Sequence, residues 1–277
     1  MSFRDPFILQ SPFSSMEFAE AKEHGDITIV GIPYEGVLSG LPGMREGPLF
    51  IRKASYLLES YVPGLRTDLK DIQFTDIGNV ELFGPPEKIS EDVSEIIAGI
   101  KKPVVLGGDH TVTIGVVKDL IRRYGNLNVI YFDAHWDLRE SYGESTHSHA
   151  CTAARIADMG AKITFIGVRS GSKEEWERGK IFPAFTVEEK WPFKFSGPTY
   201  ITVDMDVFDP AFAPGVGTPE PAGITPREFF SWLYSAEIEN LVGFDVVEVN
   251  PLIEDHITPI LAARVVRDLI AKIVVTE

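Results

Sequence analysis

Three short runs in this 277-residue chain gather the side-chain types that bind metal ions: Gly107-Gly108-Asp109-His110, Asp133-Ala134-His135-Trp136-Asp137 and Asp204-Met205-Asp206. Four carboxylates crowded into one crevice repel each other, and burying even one unpaired charge is costly. Divalent cations resolve that conflict. Two imidazoles among carboxylates suit Mn²⁺, Zn²⁺ or Fe²⁺ better than Ca²⁺ or Mg²⁺, which prefer oxygen alone. His110, Asp133, His135, Asp137, Asp204 and Asp206 are too many for one tetrahedral ion and enough for two ions sharing carboxylates. The two-residue spacing of Asp133 with His135, and of Asp204 with Asp206, would put each pair on one face of a regular strand. A single Asp-x-Asp is usually a cap or turn, and a single His is more often structural. It is the recurrence at three places that points to a two-metal hydrolase.

The elements around these runs explain how they could meet. Apolar, β-branched stretches at Ile27–Ile32, 72–77, 103–106, Asn128–Phe132, 163–168, 200–203 and 241–249 read as strands buried on both faces of a parallel sheet. Helical periodicity marks 47–60, 87–100, 113–124, 150–159, Pro226–Ser235 and 258–273. Thr225 before Pro226, with Glu228 three residues on, is a capping-box signature. Strand alternating with helix predicts an α/β fold, a three-layer α/β/α arrangement with a mainly parallel sheet, and residues 1–277 as a single domain. In such sheets the ligand crevice lies beyond the carboxyl ends of the strands, where all three runs fall. Two Gly- and Pro-rich stretches, 34–48 and 209–225, also follow strands and would form a rim around the crevice.

Composition narrows the partners. The net charge is −15, from 41 acidic and 26 basic residues, which disfavours nucleic acid. It is compatible with metals and small cationic substrates, and equally with solubility alone. No apolar run reaches the ~20 residues of a membrane span. Residues 1–10 lack a secretory signal, and the lone Cys151 permits no intramolecular disulfide, which suits a cytoplasmic protein.

Gly-Gly-Asp-His at 107–110, Asp-Ala-His-x-Asp at 133–137 and the run from Thr202 to Pro221 resemble the signatures of the ureohydrolases, the family of arginase and agmatinase. The likeness extends from the 43–48 loop to Glu248-Val249-Asn250-Pro251. It implies two Mn²⁺ per chain. One would be held by His110, Asp133, Asp137 and Asp204, the other by Asp133, His135, Asp204 and Asp206, with Asp133 and Asp204 shared. It also implies attack of an activated water on a guanidinium carbon, releasing urea and an amine. His149 in Ser148-His149-Ala150 matches the family's proton-transfer histidine, with His147 nearby as a competitor. Glu248 matches the carboxylate that orients the guanidinium. Family members form trimers and hexamers, so a homo-oligomer is expected.

The substrate is read less directly. The segment 138–144 lacks the Asn with which arginases read an α-carboxylate, and Arg139 and Glu140 are typical of agmatinases. The resemblance therefore implies agmatine, cleaved to putrescine and urea in polyamine biosynthesis. Aminopropylagmatine, arginine and guanidinobutyrate are alternatives, and an acetylpolyamine deacetylase or a non-catalytic homologue are more distant ones. Glu140, Glu144, Glu174 and Glu175 are candidate receivers for the substrate's distal ammonium, and Trp136 either walls the pocket or packs. The chain departs from the family at Thr111, Val216 and Ala222, leaving all six ligand positions intact.

Overall fold

The computed structural model describes residues 26–36, 40–186, 189–192 and 194–276. Residues 1–10, read above for a signal, lie outside it, as do positions 37–39 of the first Gly-rich stretch.

In chain order the strands are β1 (Ile27–Ile32), β2 (Tyr61–Val62), β3 (Thr67–Asp68), β4 (Phe74–Asn79), β5 (Lys102–Gly107), β6 (Asn128–Phe132), β7 (Lys162–Ile166), β8 (Ala184–Phe185), β9 (Lys194–Asp204) and β10 (Glu237–Val247). The helices are α1 (Gly47–Ser55), α2 (Pro86–Ile97), α3 (Val112–Tyr124), α4 (Thr152–Asp158), α5 (Lys173–Gly179), α6 (Pro226–Ser235) and α7 (Ile257–Val275). Eight strands form one sheet in the order β4-β1-β5-β10-β9-β6-β7-β8, and its pairings are all parallel.

Alternation along each strand supplies two apolar faces. Ile29, Val104, Ile130, Ile201 and Phe244 pack toward α1, α6 and α7. Val30, Val105, Val129, Tyr131 and Tyr200 pack toward α2, α3 and α4. Both faces are covered, so the strands read as continuous apolar runs. The result is the three-layer α/β/α fold expected from the sequence.

One feature of the order decides where a site can form. The chain steps from β5 across α3 to β6, moves outward to β8, then returns to insert β9 and β10 between β5 and β6. The carboxyl ends of β5, β10, β9 and β6 therefore line one crevice at a switch point of the sheet.

Boundaries moved where backbone chemistry overrode hydropathy. The helix expected over 47–60 stops at Ser55, because the chain turns into the β2–β3 hairpin. The strand expected over 163–168 stops at Ile166, before Gly167 at φ 97°. β10 stops at Val247, because Glu248 adopts φ 64°. β9 begins six residues before the apolar window, pairing its exposed start with β10. The capping box at Thr225 and Glu228 forms as expected. A second one, Ser172 with Glu175, starts α5, an element the hydropathy pattern did not reveal. Among the described residues no helix is long and apolar enough to cross a membrane.

Candidate metal centre

Backbone geometry at the four strand ends aims the functional side chains. Gly108 follows β5, and a Cβ there would lie 1.9 Å from the Tyr34 carbonyl oxygen. Only glycine permits that approach. The next residue, Asp109, accepts from the amides of Gly36 (2.7 Å) and Thr111 (3.0 Å), fixing the turn that carries His110 to the start of α3. After β6, Asp133 Oδ1 accepts from the His135 amide at 2.6 Å. After β9, Asp204 Oδ1 accepts from the Asp206 amide at 2.8 Å. The two-residue spacing thus works through Asx turns. Strand alternation, expected from the sequence, is not the cause, because Asp133, His135 and Asp206 all lie beyond the regular strands. The Ala134 amide donates to Asp206 Oδ1 at 3.0 Å and ties the two runs together.

All six side chains converge. His110 Nδ1 lies 3.2 Å from Asp133 Oδ2, 3.4 Å from Asp137 Oδ2 and 3.3 Å from Asp204 Oδ2. His135 Nδ1 lies 2.9 Å from Asp206 Oδ2 and 3.5 Å from Asp133 Oδ1. Among the described residues two groups have donor atoms close enough to hold an ion, His110 with Asp133 and Asp137, and Asp133 with His135 and Asp206. Asp133 belongs to both.

Electrostatics tests whether a cation fits. Burial pushes the Asp133 carboxyl up to about 6, with Asp137 and Asp206 adding to the rise. Burial, then Asp206 and Asp133, push Asp204 well above the usual carboxylate range. His110 would be depressed by burial, but its three aspartates raise it well above an ordinary imidazole. Asp206 is the exception: although burial opposes it, His135 holds it down to about 2. Asp133 Oδ2 is buried without a hydrogen bond. A site that strains to keep its charge, and leaves unbonded one oxygen of a carboxylate that faces two histidines, fits divalent cations.

Beside this cluster opens a cavity of about 420 Å³, whose lining also includes Arg139, Tyr142, His149, Ser170, Glu175, Thr218 and Glu248. The buried Glu248 accepts from the His110 amide at 2.8 Å. Burial, reinforced by Asp109, raises its carboxyl well above the usual range. Asp137 (φ 49°) and Glu248 (φ 64°) both hold left-handed backbone, a conformation costing roughly 1–3 kcal/mol for such residues.

Neighbouring candidates separate clearly. His149 lines the cavity, with the Tyr142 ring edge-on at 5.5 Å. His147 turns to Thr146 Oγ1 at 2.9 Å and Glu87 at 3.8 Å, outside the lining. Of the four glutamates proposed for the distal ammonium, only Glu175 lines the cavity, and its Oε2 already caps Ser172 and lies 3.3 Å from Arg139. Glu140 is engaged by Arg155 and Arg178. Trp136 is buried and packs edge-on against Phe165 and Trp176. Arg45 pairs with Glu81. Of the two Gly-rich stretches, 209–225 reaches the site, where the Thr218 hydroxyl donates to Asp206 Oδ2 at 3.2 Å. Arg169 holds that stretch down by donating to the carbonyls of Asp206 and Glu220.

The sequence reading missed the supporting hydroxyls of Tyr131, Thr202 and Thr218. It also missed Asp245, which with Glu248 is one of two acids inside the apolar 241–249 run.

Residues 25–271 match the arginase family. The chain is 36% identical to an agmatinase of Bacillus anthracis, the match covering 90% of this chain and 92% of that protein. It is 35% identical to the N(1)-aminopropylagmatine ureohydrolase of Thermococcus kodakarensis, covering 82% and 83%. The crystal structure of the agmatine ureohydrolase of Thermoplasma volcanium superposes with a TM-score of 0.83 at 31% identity, covering 96% of this chain and 95% of that one.

Proposed function

The chain belongs to the arginase family, and from that premise we propose that it hydrolyses agmatine to putrescine and urea, using two Mn²⁺ per chain. That it is a ureohydrolase, acting on a guanidino C–N bond, follows from the family and its agmatinase relatives. The substrate, the metal and the roles of individual residues are our reading.

The ligand scheme assigns His110, Asp133, Asp137 and Asp204 to one ion and Asp133, His135, Asp204 and Asp206 to the other. The chemistry such ions supply when bound is Lewis acidity, which lowers the pKa of water toward neutrality. The protein's own residues do the rest. Glu248 pairs with the guanidinium and turns its carbon toward the aspartates. Water adds to that carbon, the bond to the chain nitrogen breaks, and His149 delivers a proton to the departing amine. Urea and putrescine remain.

The observation that carries agmatine over arginine is the charge of the lining. Among the described residues, and apart from histidines, Arg139 is the one cationic side chain lining the cavity, and Glu175 pairs with it at 3.3 Å. A dication meets no unpaired positive charge there, and an α-carboxylate meets no free basic partner. The likeness to an aminopropylagmatine ureohydrolase favours a second reading, a longer cation in the same cavity. Urea release with Mn²⁺ across agmatine, aminopropylagmatine, arginine and guanidinobutyrate tests this. The highest kcat/KM is expected for agmatine. A higher value for aminopropylagmatine transfers the assignment, and no urea from any of them, with metal confirmed, refutes hydrolysis. Acetate from acetylpolyamines would indicate a deacetylase.

The reading treats residues 1–277 as one domain in a cytoplasmic homo-oligomer, a trimer or hexamer by family analogy, which light scattering would check.

A further inference from the structure

Asp245 lies within β10, fully buried. Its carboxylate accepts three hydroxyl bonds, from Thr113 at 2.8 Å, Tyr200 at 2.7 Å and Thr202 at 2.5 Å. Among the described residues no lysine or arginine pairs with it. Three hydroxyls are a demanding way to bury a carboxylate, since an apolar residue in a strand needs no partner at all. The bond to Thr202 leads onward: Thr202 Oγ1 lies 2.8 Å from His110 Nε2.

The protons along this chain can be counted. A threonine hydroxyl has one proton, and Thr202 gives it to Asp245, because a carboxylate can only accept. Its oxygen is then left as an acceptor toward His110, so Nε2 must carry a proton. Nδ1 is the ring nitrogen that remains for a metal, and Nδ1 is the atom facing Asp133, Asp137 and Asp204. Tyr131 fixes the ring plane, stacked at 4.8 Å and 21°, and spends its own proton on Asp137. Among the described residues His135 has no comparable support: its Nδ1 meets Asp206 and Asp133, and its ring is 26% exposed.

We infer that Asp245, acting through the Thr202 hydroxyl, is a positioning residue that fixes the His110 tautomer and thereby sets the affinity of one metal position and not the other. The inference rests on the two-metal reading above. It is tested by calorimetric titration of the metal-free chain with Mn²⁺, in wild type and in Thr202→Val, Thr202→Ser and Asp245→Asn. Wild type should bind two ions. Thr202→Val and Asp245→Asn should each weaken one binding step about 10–100-fold, the usual effect of losing a ligand's outer partner, and leave the other step unchanged. Thr202→Ser, which keeps the hydroxyl, should restore the wild-type isotherm. Unchanged binding in both Thr202→Val and Asp245→Asn overturns the relay. Equal weakening of both steps, or no rescue by serine, also overturns it, because either outcome marks a general packing role. A wild-type chain binding fewer than two ions fails differently: it removes the two-metal reading, and the inference with it.

Discussion

At the scale of single residues, the site turns on Asp133. Its two oxygens face two different histidines, at 3.2 Å and 3.5 Å, and one of them has no hydrogen bond. Asp133→Asn replaces a shared anion with a neutral amide. It should empty both metal positions and lower urea release by more than about a hundredfold, since even an outer partner of a ligand is worth that much. Elemental analysis beside the urea assay checks it, and two retained ions per chain would break the ligand scheme. His149→Phe should behave differently, keeping its metals while kcat falls about 10²–10⁴-fold, the range for a lost general acid. Unchanged turnover would hand the role to His147. The six converging side chains proposed as ligands were legible in sequence because clustered Asp and His have few other uses. Thr202 and Tyr131 were not, since hydroxyls within strands look the same whether or not anything depends on them. The choice between His147 and His149 needed the structure, because it depends on which way a short irregular segment turns.

At the scale of elements, hydropathy located most strands and helices but misjudged their ends, which hydrogen bonds decide. The start of α7 shows why. Glu254 accepts from the amides of His256 (2.8 Å), Ile257 (2.6 Å) and Thr258 (2.8 Å), donors that the first helical turn leaves unpaired. Burial alone would raise this carboxyl, but the amides outweigh it and hold it below its ordinary value. A depressed folded-state pKa stabilises the fold above the unfolded value, near ~4.3, and the gain disappears as pH falls through the folded value. Glu254→Gln should therefore lower stability by about 1 kcal/mol at pH 7. The gap in thermal midpoint between variant and wild type should close below about pH 4. A gap independent of pH would show that charge plays no part in the cap. No apolar period could reveal this acid, because it lies outside the helix it serves.

At the scale of the whole molecule, the continuous apolar runs announced a parallel sheet covered on both faces. They could not announce its order, since the insertion of β9 and β10 between β5 and β6 rests on contacts far apart in sequence. That insertion brings four strand ends together and concentrates repelling carboxylates in one crevice. Ions bound there should stabilise the folded chain by linkage, about 2.7 kcal/mol at a free concentration one hundred times Kd. A chelator should lower the thermal midpoint and added Mn²⁺ restore it; an unmoved midpoint would argue against metal in the folded state. The same balance has a consequence for how such a chain can change over generations. Glu248 combines a left-handed backbone with a buried, crowded carboxyl, and a single-base change converts its codon to glycine. Glu248→Gly would relieve the backbone and remove the charge, against under about 1 kcal/mol in unfolded-chain entropy and the loss of its bond from the His110 amide. It should unfold no earlier than wild type on heating while releasing almost no urea. Mutation would then carry this position toward a sturdier and inert protein, and only selection for turnover would hold the glutamate in place.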